Sequence, residues 1–176
     1  MRTSLVLTII GDDRPGLVER LSDEILAAGA NWEESRMARL AGKFAGLLRV
    51  SVDASQAEAL AARLNASTVA GLSIVVERSA APAHAAVRTI RLELVGHDHP
   101  GIIRNIAQVL ARNHVNIEEF ETDTTSAPMS GDTLFRARAT LGIPDSVSLA
   151  ELRVMLEGLA GELMVDLTLA EHQARA

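Results

Sequence analysis

Apolar residues recur along this chain with two alternating spacings, which together predict an ordered series of strands and helices. The segments SLVLTII and TIRLELV are short apolar runs of the kind that form buried strands. Each is followed by a turn and then by apolar positions at the 3.6-residue spacing of a helix face. Further strands are predicted over 31–40, 43–52 and 73–78 and again over 116–124, 133–141 and 164–170, with a second helix before the last strand of each half.

The two halves of this pattern also share individual residues at a constant offset. Eighty-five positions separate the members of each matching pair: Gly11, Asp13, Pro15, Gly16 and Asn31 recur as Gly96, Asp98, Pro100, Gly101 and Asn116. The apolar helix positions Leu17, Val18, Leu21 and Ile25 recur as Ile102, Ile103, Ile106 and Leu110. A fixed offset over this length indicates that one structural unit is present twice.

The order β-α-β-β-α-β, written twice, predicts an α+β fold made of two ferredoxin-like domains. Right-handed crossovers place both helices of each half on one face of a four-stranded antiparallel sheet. We expect a first domain over residues 1–78, a linker over 79–87 (SAAPAHAAV) and a second domain over 88–176. Because such small domains bury a limited fraction of their surface, we expect pairing of the domains within the chain or in a homo-oligomer.

The segments GDDRPG and GHDHPG join the first strand of each half to its first helix. Gly11 can end the strand, and Asp13 is placed to accept the Gly16 amide as a helix N-cap, although Arg14 could occupy the cap position instead. Pro15 would then lie in the first helical turn, where its missing N–H group is tolerated. These residues are also suited to a simple connecting turn, so the segment alone leaves both interpretations open.

A basic residue precedes the proline in both turns, and this favours a binding site. Arg14 and His99 would stand at the positive end of a helix, where a cation is disfavoured. Exposed helix amides, a nearby cation and a glycine without a side chain form a suitable seat for a small carboxylate. Asn31 and Asn116 could contribute amide groups to the head of such a ligand, or could serve only as turn residues.

The repeated G-x-D-x-P-G turn within this order of elements resembles the ACT domain, a small regulatory module that typically binds amino acids. Two such domains in tandem, together with the stretch NWEESRMARLAGKFAG, resemble the glycine cleavage system transcriptional repressor family. The ligand-binding positions that the resemblance implies are Asp13, Arg14, Pro15, Gly16 and Asn31, and Asp98, His99, Pro100, Gly101 and Asn116.

The resemblance also implies a function without catalysis. It implies a small amino-acid effector, similar to glycine or serine, and contact with a transcription activator of glycine cleavage genes. The alternative is a regulatory ACT subunit of an amino-acid or one-carbon metabolic enzyme. Because a histidine is mostly uncharged at neutral pH, we expect the copy with Arg14 to bind a carboxylate better than the copy with His99.

Composition and motifs narrow the remaining classes of function. The formal net charge of −6 and the 2% aromatic content argue against direct nucleic-acid binding. Cysteine is absent, and none of the common nucleotide-binding, zinc-protease or nucleophile-elbow motifs occurs, so we expect no catalytic residue and no cofactor. We also expect a cytoplasmic protein without membrane contact, because no long apolar segment or signal-peptide cleavage site is present.

Three groups of neighbouring side chains carry potential ligating or catalytic chemistry. His97, Asp98 and His99 carry suitable metal ligands, but successive residues of an extended turn diverge, and we expect no metal site. The pairs Glu33–Glu34 and Glu118–Glu119 lie on predicted strands, where adjacent side chains should face opposite ways and should not form a catalytic pair.

Overall fold

The chain folds into two compact units, Met1–Pro82 and Ala83–Ala176. This computed structural model describes residues 1–66, 71–78, 88–126 and 132–171. The predicted linker, residues 79–87, lies outside the described residues. Within the described ranges, no helix is both long enough and apolar enough to span a membrane.

The first unit contains four strands and two helices in the predicted order. Their bounds are β1 Arg2–Asp12, α1 Leu17–Ala27, β2 Asn31–Leu40, β3 Lys43–Asp53, α2 Ala57–Ala66 and β4 Leu72–Arg78. The strands form one sheet in the order β2-β3-β1-β4, with every neighbouring pair antiparallel.

The second unit repeats this arrangement. Its elements are β5 Arg88–His97, α3 Ile102–Arg112, β6 Asn116–Ser126, β7 Thr133–Ile143, α4 Leu149–Leu163 and β8 Val165–Glu171. The sheet order is β6-β7-β5-β8, again antiparallel throughout. The predicted α+β fold, with two ferredoxin-like sheets, is therefore confirmed.

Each unit has its own hydrophobic core between one face of the sheet and its two helices. In the first unit the alternating residues Leu5, Leu7 and Ile9 of β1 are buried, as a two-residue strand period requires. They pack in one cluster with Leu21 of α1 and Leu64 of α2, which are also fully buried. Both described helices of the unit pack into this one cluster and therefore cover the same face of the sheet.

A β-bulge lies near the start of the second strand in each unit, and in the first unit it corrects the expectation for Glu33 and Glu34. The register shifts between Trp32 and Glu34, so the two neighbouring glutamates do not follow the usual alternation. Both contact one guanidinium: Arg49 Nε lies 3.4 Å from Glu33 Oε2, and Arg49 Nη2 lies 3.3 Å from Glu34 Oε2. The expectation that these side chains face opposite ways was wrong.

The glycine near the end of the first strand allows the last strand of the sheet to approach closely. A Cβ at Gly11 would lie 2.7 Å from the Gly71 carbonyl oxygen and 3.3 Å from Leu72 Cα. In the second unit a Cβ at Gly96 would lie 2.9 Å from Val165 Cβ and 3.0 Å from Val165 Cα. Both approaches are closer than real Cβ contacts, so this position excludes a side chain in both units.

We predict that Gly96→Ala lowers the free energy of unfolding of the second unit by about 1–3 kcal/mol, because the methyl group overlaps Val165. Gly158→Ala is the matched control, since Gly158 lies within α4 and has nothing within 4 Å of an added Cβ. The control should raise stability by about 0.5–1 kcal/mol through helix propensity. Urea unfolding followed by far-UV circular dichroism measures both, and equal stabilities for the two variants would contradict the packing argument.

Candidate functional site

The two repeated turns lie at the same end of their respective sheets. In the first unit β1 ends at Asp12, which pairs with Lys43 at the start of β3. The β2–β3 hairpin and the residue that leads into β4 lie at this same end, because Leu40 pairs with Lys43 and Gly11 pairs with Leu72. The turn therefore lies between two other chain connections, and both contribute contacts to it.

A glycine in the left-handed conformation is the N-cap of the helix in both units. Gly16 has φ 86° and Gly101 has φ 103°, and α1 and α3 begin at the residues that follow them. This corrects the expected cap: neither Asp13 nor Arg14 is the N-cap, and Pro15 precedes the helix instead of lying in its first turn. The left-handed backbone requires glycine here because other residues adopt it only with strain.

The first turn of each helix offers backbone donors. The first N–H groups of any α-helix have no intrahelical acceptor, and neither Gly16 nor Gly101 provides a side chain to cap them. Ser148 shows the contrast, because its hydroxyl oxygen accepts from the Glu151 amide at the start of α4. The two turns identified from the sequence thus begin helices that lack a side-chain cap.

Arg14 is positioned by the connection that precedes β4. Its guanidinium lies directly against Gly71, where it occupies the space that a Cβ would need. Gly71 has φ 81°, so its backbone conformation also favours glycine. Arg14, the basic residue predicted beside the turn, therefore lies against Gly71, the residue that leads into β4.

His99 takes the corresponding position in the second unit but contacts different groups of the chain. Its Nε2 lies 3.2 Å from the Leu163 carbonyl oxygen at the end of α4, and its Nδ1 lies 3.2 Å from the Pro100 carbonyl oxygen. Both partners are acceptors, so the imidazole donates through whichever nitrogen carries a proton. Arg14 and His99 thus occupy equivalent places with different chemistry.

The aspartates of the two turns are used for structure. The Asp13 amide donates to the Gly42 carbonyl oxygen at 2.9 Å, and its carboxylate lies 3.5 Å from Arg39 Nη1. In the second unit the Asp98 amide donates to the Thr133 carbonyl oxygen at 2.9 Å. These backbone bonds attach each turn to the neighbouring hairpin, and in the first unit the Asp13 carboxylate adds a contact with Arg39.

Asp12 forms an ion pair that is specific to the first unit. A hydrogen bond from Lys43 Nζ to Asp12 Oδ1 lowers the pKa of the Asp12 carboxyl below its ordinary value. The positive charge of Lys43 and, to a smaller extent, that of Arg14 act in the same direction. His97 takes this place in the second unit and pairs in the sheet with Leu134, so the two turns differ in charge.

The first turns of α1 and α3 carry opposite charges. Glu19 lies in the first turn of α1, and its Oε2 would be 3.7 Å from a Cβ on Gly16. The matching residue of α3 is Arg104, and that helix has no acidic residue in its first turn. A carboxylate near the α1 start would meet Glu19, whereas one near the α3 start would meet Arg104.

Asn31 and Asn116 lie at the opposite end of the sheet from the turns. Asn31 pairs with Ser51, and Asp12 pairs with Lys43, so a length of β3 from residue 43 to residue 51 separates them. At about 3.3 Å per residue this separation is about 26 Å. Asn116, paired with Gly142, stands in the same relation to His97, paired with Leu134. Within one unit, a compact ligand cannot contact both the turn and the asparagine.

Among the described residues, no group of three or more histidine, aspartate or glutamate side chains is arranged to hold a metal ion. His97, Asp98 and His99 are included in this statement. His99 instead directs its imidazole to the Leu163 carbonyl oxygen.

The sequence of both units matches models of a known protein family. One ACT-domain model matches residues 3–77, and a second ACT-domain model matches residues 85–161. The chain is a tandem ACT-domain protein. The first compact unit is thus the first ACT domain and the second unit is the second, and together they give the protein a regulatory role.

Relatives resemble the protein across both ACT domains. The glycine cleavage system transcriptional repressor of Escherichia coli (strain K12) is 26% identical over 161 residues, covering 90% of this chain and 85% of that protein. A crystal structure of an unknown protein from Galdieria sulphuraria matches with a TM-score of 0.87 and 32% identity over 98% of this chain and 100% of that one. A protein provisionally assigned as a glycine cleavage system transcriptional repressor has the same fold, with a TM-score of 0.73 and 20% identity over 98% and 99% of the two chains.

Several residues around the turns in the two ACT domains were not identified from the sequence. Lys43, Gly71 and Leu163 reach the turns only because the sheet brings three connections to one end. These three residues are distant from the turns in the sequence, so no local sequence pattern marks them as contacts of the turns. Glu19 did carry such a signal, because an acidic residue three positions after Gly16 is expected in a first helical turn.

We predict that Lys43→Ala raises the pKa of the Asp12 carboxyl towards its ordinary value, because the hydrogen bond that lowers the pKa is removed. Side-chain NMR titration of the full chain measures the change. Arg39→Ala is the control, since Arg39 pairs with Asp13 rather than Asp12. A pKa for Asp12 that stays equally low in Lys43→Ala would show that Lys43 is not its cause.

Proposed function

We propose that this protein is a non-catalytic regulator that responds to a small amino acid and controls transcription by contact with a transcription activator. The observation that carries the proposal is the repeated helix start with a left-handed glycine as its N-cap, no side-chain cap and a basic residue nearby. Similarity to a glycine cleavage system transcriptional repressor across both ACT domains supports the regulatory part and suggests glycine cleavage genes as the target.

The proposed ligand site consists of Asp13, Arg14, Pro15 and Gly16 in the first domain and of Asp98, His99, Pro100 and Gly101 in the second. A free carboxylate would accept hydrogen bonds from the first-turn amides and be favoured by the helix dipole. Asn31 and Asn116 each lie about 26 Å from the turn of their own domain, so in this proposal they would contact a ligand at a place separate from the turn.

The charges next to the two helix starts argue against the expectation that the first domain binds a carboxylate better than the second. Arg14 attracts a carboxylate, but Glu19 lies at the same helix start and repels it. The second domain lacks that acid and has Arg104 at the matching position. We therefore propose that the second domain also binds a carboxylate, although His99 replaces Arg14.

Amino-acid binding can regulate a partner only if the ligand prefers one state of the protein. In the proposed mechanism, a bound zwitterion orders the turn together with the hairpin and the connection that hold it. The activator would then bind with a different affinity to the liganded protein. A thermal-shift screen with the twenty amino acids identifies the effector, because a ligand at about 100 times its Kd adds about 2.7 kcal/mol of stability.

We predict that Arg14→Ala weakens binding of the effector to the first domain by about tenfold or more, because a charge-assisted hydrogen bond is lost. Arg20→Ala is the control, since Arg20 is an exposed arginine of α1 that does not belong to the turn. Titration followed by the amide NMR signals of Gly16 and Gly101 reports each domain separately. An unchanged affinity at Gly16 would remove Arg14 from the site.

We predict that Glu19→Gln strengthens carboxylate binding at the first domain by about two- to fivefold, because it removes a negative charge beside the helix start. Arg104→Gln should have the opposite effect at the second domain. The same NMR titration measures both variants. If Glu19→Gln left the affinity at Gly16 unchanged, the carboxylate would have to sit away from the first turn of α1.

Affinity isolation of the full chain, with and without the effector, tests the partner. A transcription activator recovered as the main partner supports the proposed function. A biosynthetic or one-carbon enzyme as the main partner would instead support a regulatory ACT subunit. Turnover of a metabolite by the purified chain alone would overturn the non-catalytic assignment.

A further inference from the structure

The second ACT domain contains an apolar cavity of about 160 Å³ between α3 and the sheet. Every side chain that lines it is apolar, and the lining comes from α3, β5, β6 and β7. Ala137 and Ala139 form its floor on β7 and are each only 4% exposed. Ile103 and Phe120 also line it and are each 44% exposed, so the cavity reaches the surface between α3 and β6.

At one position of the cavity floor the first domain carries a larger side chain. Leu48 pairs with Leu7 as Ala139 pairs with Leu92, so Leu48 and Ala139 occupy matching positions. Leu48 is completely buried in the core of the first domain. The replacement of this leucine by alanine removes side-chain volume from the floor of the second domain.

Other exchanges between the domains change side-chain size in both directions. Ala137 of the floor matches the smaller Gly46, because Ala137 pairs with Leu94 as Gly46 pairs with Ile9. Trp32, which packs against the first core, is matched by the smaller Ile117 on the wall of the cavity. Met37 also packs against the first core and lies over Gly46, whereas the matching residue of β6 is the exposed Thr122. The larger residue that β6 gains, Phe120, lines the cavity but remains 44% exposed.

We propose that this cavity binds a compact, uncharged apolar group about the size of a benzene ring or a branched aliphatic chain. An apolar cavity of similar volume stays free of water and accepts benzene. The lining offers no side-chain donor, acceptor or charge, so a carboxylate or an ammonium group would lose its hydration without compensation. The group could belong to a small apolar molecule or to the side chain of an amino acid whose polar head stays outside.

This site is distinct from the carboxylate site proposed at the turns, and it does not rest on that proposal. The turns offer backbone donors and nearby cations. The apolar cavity instead disfavours both charged groups of an amino acid, the carboxylate and the ammonium group. Glycine, which has no side chain, would not fill the cavity. The binding test can therefore succeed or fail without regard to amino-acid binding at Gly16 and Gly101.

The test measures binding of toluene to the full chain by ligand-observed NMR, with benzoate as the charged control. We expect one saturable toluene site and no competition from benzoate. Ala139→Leu copies the residue of the first domain into the cavity floor and should weaken toluene binding by tenfold or more while raising Tm. Absence of saturable toluene binding to the wild-type chain, or equal binding to Ala139→Leu, would overturn the proposal.

A second variant that fills the cavity provides the test if Ala139→Leu does not fold. Ala107→Leu enters the cavity from α3, where Ala107 is only partly buried, and should also weaken toluene binding by tenfold or more. If Ala139→Leu does not fold, unchanged toluene binding in a folded Ala107→Leu variant would overturn the proposal. The reciprocal variant Leu48→Ala should lower Tm and give a second toluene site in the first domain.

Competition identifies the source of the apolar group. Displacement of toluene by L-phenylalanine or L-isoleucine, but not by glycine, would assign the cavity to an amino-acid side chain. Binding of toluene that neither amino acid displaces would assign it to a free apolar molecule. Displacement by glycine would place toluene outside the apolar cavity and would contradict the proposal.

Discussion

A left-handed glycine at the start of the first helix of each domain is the backbone constraint on which the proposed carboxylate sites depend. At φ 86° for Gly16 and φ 103° for Gly101, the chain turns from strand to helix without a capping side chain. An Asp or Ser cap would satisfy the first-turn amides internally, as Ser148 does for one amide of α4. The glycine therefore leaves the helix start open to a ligand and at the same time leaves it without one source of stability.

The surrounding turn compensates through contacts with more distant parts of the chain. The Asp13 amide bonds the Gly42 carbonyl oxygen, and the Asp98 amide bonds the Thr133 carbonyl oxygen, so backbone hydrogen bonds fix both turns to the hairpins. Gly11 and Gly96 allow the last strand to approach where any side chain would overlap it. Backbone contacts within the fold thus hold both repeated turns in place, and the proposed ligand sites rely on that fixed geometry.

The architecture could be predicted from the sequence because its signals are local and repeated. Alternating apolar residues such as Leu5, Leu7 and Ile9 indicate a one-sided strand, and the recurrence of the whole pattern fixes the number of domains. The site was predicted less completely. The cap position depended on a left-handed backbone that Asp, Pro and Gly in succession do not uniquely specify, and the separation of Asn31 from its turn depends on strand register.

The glutamate pair shows the same limit of sequence reasoning. Strand alternation places Glu33 and Glu34 on opposite faces, but the bulge at this point lets both reach Arg49. Nothing in the local sequence marks the extra residue, because the bulge is defined by what the neighbouring strand pairs with. Contacts of Arg14 with Gly71 and of His99 with Leu163 likewise require the folded sheet.

The two domains have kept the same backbone while their side chains have diverged in two separate regions. At the turns, the exchange of Arg14 for His99 and of Glu19 for Arg104 changes the charge around an otherwise similar helix start. In the core, the exchange of Leu48 for Ala139 removes side-chain volume from the floor of the cavity beneath α3. A duplicated domain retained only for stability would gain nothing from an unfilled apolar cavity, since lost packing is destabilising. The divergence therefore fits the two proposals made for these regions, which are carboxylate sites of unequal charge at the two turns and an additional apolar site in the second domain.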